Sequence, residues 1–157
     1  MNAATRTVGR LAARRFLRDV VLATRAFSEA GAARFGADVD ALLFVFQRFL
    51  RRPAACLAEA LEAAALLTLD VREAAKVAAA CGAAEAAAAR EAEPDPGSGA
   101  AAPRRGEAGA PSSAAAVAAR AAAAEAREAV GVYALDDAVA FAVLSRRVDL
   151  GAESGGR

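Results

Sequence analysis

The chain has 157 residues, enough for one domain, and its net charge of +1 gives no whole-chain argument for nucleic acid or acidic lipid. Much of its 57% apolar content is alanine, and with aromatics at 5% and no Trp the core is smaller than that fraction suggests. The absence of histidine removes the commonest general base and metal ligand, and no apolar run approaches the roughly 18 residues of a membrane span.

Met1 to Arg18 carries Arg6, Arg10, Arg14, Arg15 and Arg18 with no acidic residue. Such a segment reads as a solvated basic helix face, with Val8, Leu11, Phe16 and Val20 on its apolar side. An Arg-rich, acid-poor start also fits an organelle-targeting segment, the competing reading. Phe16, Val20, Ala23 and Phe27 then predict a helix over 16–30, with Gly31 as the residue that ends it.

The densest apolar stretch follows, from Phe27 to Leu69. Phe35, Val39, Leu42, Phe46 and Phe49 recur at steps of three or four, a single helical stripe. Arg51 and Arg52 are expected in its last turn, where the helix dipole favours cations. Pro53 cannot continue that helix but suits the first turn of a new one, whose stripe is Leu57, Leu61, Ala64 and Leu67. The two form a helical hairpin. Phe44 falls about 160° from Phe46 around the helix, on its far face, and is the candidate partner surface.

Asp70 and Glu73 have capping-box spacing, which predicts a helix from Val71 to Cys81 with Gly82 ending it. The alanine-rich run after it is helical by propensity but has no large side chain to bury. Residues 93–113 hold Pro94, Pro96, Pro103 and Pro111 among Gly and Ser, a flexible, disordered linker by composition. Ala114 to Val130 is a further helix, stopped by Gly131. Asp136 then caps a last helix with Val139, Val143 and Leu144 inward and Arg146 and Arg147 in its final turn. The organisation is therefore a basic segment 1–15, a bundle core 16–92, a linker 93–113, C-terminal helices 114–150 and a disordered tail 151–157. No segment alternates with period two, so the fold class is all-α, a small antiparallel helical bundle.

Nothing in these segments assembles catalytic chemistry. Cys56 and Cys81 lack zinc spacing and read as small buried hydrophobes in a reducing compartment. Gly97-Ser98-Gly99 lacks the Lys and the strand of a phosphate-binding loop. Asp38 and Asp40 flank Val39 and point apart. Catalytic residues, cofactors and metals are accordingly expected to be none.

Two stretches together resemble the C-terminal region of the RINT/TIP family, large subunits of the complex that tethers Golgi-derived vesicles at the endoplasmic reticulum. The first has Gly31-Ala32, Phe35, Asp38, Leu42-Leu43, Phe46, Arg52-Pro53, Glu59-Ala60 and Leu66-Leu67-Thr68-Leu69. The second has Gly131-Val132-Tyr133, Leu135, Asp137 and Leu144 through Arg146-Arg147. The Ala/Pro/Gly-rich middle has the character of an insertion. The resemblance implies a non-enzymatic interaction protein, a C-terminal fragment of a tethering subunit in Golgi-to-ER retrograde transport. It implies other tethering-complex subunits and SNAREs as partners, with no nucleic acid. It places the chain in the cytoplasm, peripheral to the endoplasmic reticulum membrane, which it reaches only through partners. The alternative is a small organelle-targeted helical protein with a basic N-terminal targeting segment.

Overall fold

The structure, a computed structural model, describes residues 3–92, 114–148 and 150. The expected linker at 93–113 and tail at 151–157 lie outside the described residues. Within them the chain is an all-α bundle. Helix α1 (Ala3–Phe16) runs without a break into a widened π-helical turn (Leu17–Leu22), closed by the Ala23 N–H on the Arg18 carbonyl at 3.1 Å. Then come α2 (Glu29–Gln47), a short α3 (Pro53–Cys56), α4 (Ala58–Thr68), α5 (Val71–Ala92), α6 (Ala114–Ala129) and α7 (Asp137–Leu144).

One core joins the parts. Val21, Val39, Leu66, Val77, Cys81, Val132, Val143 and Leu144 are all sealed within one cluster, so the early helices and the C-terminal helices share it. Alanines at 60, 63, 74, 123 and 140 are sealed as well, and their small side chains let helix axes approach closely. Neighbours α2 and α4 run antiparallel, since the start of α2 shares a groove with the end of α4. Helices α5 and α6 are antiparallel too, with Glu91 late in α5 paired to Arg120 early in α6 at 3.0 Å. An aromatic cluster ties the first connector in: Phe35 stacks on Phe16 at 5.4 Å between centroids, and Phe27 meets Phe35 edge-on at 6.1 Å.

Several expected boundaries move. The helix predicted over 16–30 stops at Leu22, and Gly31 lies in the first turn of the next helix instead of ending this one. Ser28 is the reason: its Oγ accepts the Gly31 N–H at 3.2 Å, an N-cap that opens α2 at Glu29. The helix starting at Val71 passes straight through Gly82 to Ala92. There the missing side chain makes room, because a Cβ on Gly82 would stand 2.9 Å from the Phe141 ring. Helix α2 closes at Gln47, so Arg51 and Arg52 lie beyond it, and Phe49 leaves the stripe for solvent while Leu50 turns into the core. On α1 and the first residue of the turn after it the buried face is Gly9, Ala13 and Leu17, with Val8 and Leu11 outward. The second stripe keeps its pattern: Leu57, Ala64 and Leu67 are buried and Leu61 half-buried, although a break at Leu57 separates α3 from α4.

Candidate functional site: a clamped loop and an open helix corner

The segment between α6 and α7 is held by two side chains from outside it. Gly131 sits at φ +77, a left-handed conformation that favours glycine and ends α6. The next amides then point at one carboxylate. Glu62 of α4 accepts the N–H groups of Tyr133 at 3.0 Å on Oε1, of Ala134 at 2.8 and 2.7 Å on both oxygens, and of Leu135 at 2.9 Å on Oε2. Three successive amides around an anion make a backbone nest, occupied here by the protein's own side chain. From α6, Arg127 donates to Asp137 at 2.8 Å and to the Leu135 carbonyl, both largely out of solvent. Asp136 then caps α7 by accepting the Val139 N–H at 2.8 Å. Leu135 is buried, and Tyr133 is left outward on a fixed backbone.

Beneath this loop Cys81 is sealed in the core, and its thiol is pushed up to about 11. Burial is the main cause; the charges of Asp137 and Glu85 add to it, and Arg127 opposes it. Such a thiol stays protonated and is a poor nucleophile at neutral pH. Cys56 and Cys81 are both free and buried. Among the described residues no three His, Cys, Asp or Glu side chains gather to hold a metal ion. Nor is any described helix long and apolar enough to cross a membrane.

At the other end, Arg147 is 8% exposed. It follows α7, not its final turn, and its Nη1 donates to the carbonyls of Leu69 at 2.7 Å and Leu66 at 3.3 Å, the open end of α4. The backbone beside it pairs with the first connector: the Phe27 N–H donates to Arg146 at 2.5 Å and the Val148 N–H to Phe27 at 3.1 Å. A groove of about 720 Å³ opens here, lined by Phe27, Ala32, Leu67, Leu69, Arg147 and Val148 among others.

The far side of α2 is unlike either end. Phe44 is 62% exposed with the Arg48 guanidinium 5.9 Å above its ring, a cation–π contact. Val45 is exposed beside it and Phe49 is 61% exposed in the turn that follows. Arg51 and Arg52 stand exposed in the bend before Pro53.

The model of one protein family, RINT-1/TIP-1, matches residues 3–147. The chain belongs to the RINT-1/TIP-1 family. No curated protein and no solved structure matches it. The matched range, residues 3–147, is wider than the two stretches that suggested the family.

The motif positions do not converge on one spot. Tyr133, Leu135 and Asp137 form the clamped loop. Gly31, Leu67 and Arg147 gather near the groove at the opposite end, with Phe35 behind them in the core. Phe46, half-buried, and Arg52-Pro53 belong to the α2–α3 corner, Pro53 opening α3 as its first residue. Asp38 is exposed and makes an i,i+4 pair with Arg34 at 3.4 Å. Sequence reasoning missed Glu62 and Arg127, the two side chains that organise the loop. Glu62 lies more than seventy positions from its amides, a separation that leaves no local signal. Arg127 did have one, since it lies ten residues before Asp137 across a glycine turn.

Proposed function

We propose that the chain is a non-enzymatic interaction piece of a vesicle-tethering subunit, acting in Golgi-to-ER retrograde transport at the cytosolic face of the endoplasmic reticulum. The observation behind this reading is the family match over residues 3–147. Its partners are other tethering-complex subunits and SNAREs, met through helix faces. The geometry is compatible with work by contact: one end is held rigid by Glu62 and Arg127, while large side chains such as Phe44 stand in solvent.

The packing of α1 argues against the organelle-import alternative. Ala13 is in the core, Gly9 lies against Leu50 and Cys56, and Arg14 pairs with Glu59 at 3.0 Å. Cleaving residues 1–15 as a targeting segment would uncover Leu50 and Cys56. The test is crosslinking of the tagged full chain in intact cells, followed by blotting for tethering subunits and endoplasmic reticulum SNAREs. Specific capture of either is expected. A chain found processed inside an organelle, with no tethering subunit or SNARE crosslinked, overturns the proposal.

A further inference from the structure

The corner where α2 gives way to α3 combines two features. Its apolar side chains point outward: Phe44 and Val45 from the last turns of α2, and Phe49 from the turn after it. Its cations have no carboxylate to answer them. Some arginines elsewhere are matched, Arg14 with Glu59, Arg34 with Asp38 and Arg127 with Asp137. Among the described residues Arg48, Arg51 and Arg52 enter no ion pair, and residues 41–52 contain no Asp or Glu. Asp40, a turn before Phe44, is the nearest acid in sequence. The N-terminal half of α1 adds to the same end, because Gly9 packs on Leu50. That contact places Val8 and Arg10, both exposed, beside the corner.

The chemistry that fits is a surface both negative and able to accept phenyl rings. Phe44, Val45 and Phe49 do not line the groove beside Arg147; they project outward from a helix end instead of lining a channel in which a partner helix would lie. A twofold axis passing through the corner would crowd these arginines near their own counterparts, with no acid in residues 41–52 to separate them. We propose that this corner docks directly on an anionic lipid bilayer, Phe44 and Phe49 entering the headgroup boundary while Arg48, Arg51 and Arg52 lie among the lipid phosphates and carboxylates. Each such arginine strengthens binding by about fivefold, through a field that fades within a Debye length. The proposal departs from the expectation that the membrane is reached only through partners, and stands independently of which subunits those are.

The experiment is flotation of the purified full chain with vesicles of phosphatidylcholine alone and of phosphatidylcholine containing phosphatidylserine. Flotation is expected only with the phosphatidylserine vesicles, and it should be lost in high salt. The double variant Arg51→Gln, Arg52→Gln should weaken it by roughly twenty-five-fold. Phe44→Ser should weaken it without changing the salt dependence. Unchanged helical circular dichroism keeps these variants informative, since all three side chains are exposed. Equal flotation on both vesicle types, none on either, or wild-type flotation of the double variant overturns the proposal. So does a lipid-free dimer that Phe44→Ser dissolves, which would assign the corner to a second copy. Crosslinking to tethering subunits is read separately, so that reading and this one can fail apart.

Discussion

The α6–α7 loop and the α2–α3 corner are both turns between helices, and both expose an aromatic beside arginine chemistry (Arg127 of α6 at the loop, Arg48, Arg51 and Arg52 at the corner), yet they are built oppositely. In the loop every charge is answered: Glu62 by three amides, Arg127 by Asp137 and the Leu135 carbonyl. At the corner no carboxylate meets Arg48, Arg51 or Arg52 among the described residues, and Phe49 faces water. A satisfied polar network fixes one conformation, whereas exposed apolar and cationic groups contribute little to folding and remain available for contact. Stability and function are thus expected to separate along this line.

The largest effect should come where the loop's helix meets the core. Leu144 has no exposure and sits at the end of α7, so Leu144→Ala should cost about 2–5 kcal/mol in urea unfolding. A loss under about 1 kcal/mol would mean that α7 is peripheral and that the contrast with the corner is false.

Next is Glu62→Ala. Three amides lose an ionised acceptor, but Tyr133 and Ala134 are exposed and water can replace it for them, leaving Leu135 as the main cost. About 1–2 kcal/mol is expected, with faster hydrogen exchange confined to residues 133–135. Exchange spread evenly over the bundle would show that Glu62 supports the whole fold and not the loop.

How much of this was legible in the sequence depended on whether the cause was local. Asp136 as a cap, Gly131 as a stop and the stripe Leu57, Leu61, Ala64, Leu67 all rest on neighbours within a few residues, and the structure has them. Glycine was ambiguous: Gly131 needs its positive φ, but Gly82 is there for the approach of Phe141, which a linear pattern cannot distinguish from a stop. Gly31 misled for a third reason. Ser28 before it is the N-cap signal that should have outweighed it. The role of Arg147 depends on the end of α4, some eighty positions back. Nothing nearby in the chain encodes it beyond a charge after a helix, which suits solvent equally well.

The smallest effects sharpen the comparison most, because they lie on one helix. Phe46 heads the inward side of the corner and Phe44 the outward side, two positions apart on α2. The stripe alone would give Phe46→Ala the full cost of a core phenylalanine, about 3–5 kcal/mol. Phe46 is only half-buried, because the helix ends a residue later and Leu50 takes the deeper place. About 1–2 kcal/mol is therefore expected for Phe46→Ala, following the smaller area it removes from water. For Phe44→Ala, only the contact with Arg48 is lost and the change should stay within about 0.5 kcal/mol. Paired unfolding curves in urea measure both. Equal and large losses would mean that Phe44 is covered in solution, in which case the corner is already occupied and cannot be a free docking surface. A stability loss at Phe46 alone, with lipid flotation weakened by the Phe44 change and not by the Phe46 change, places folding and contact on opposite sides of the same two turns of helix.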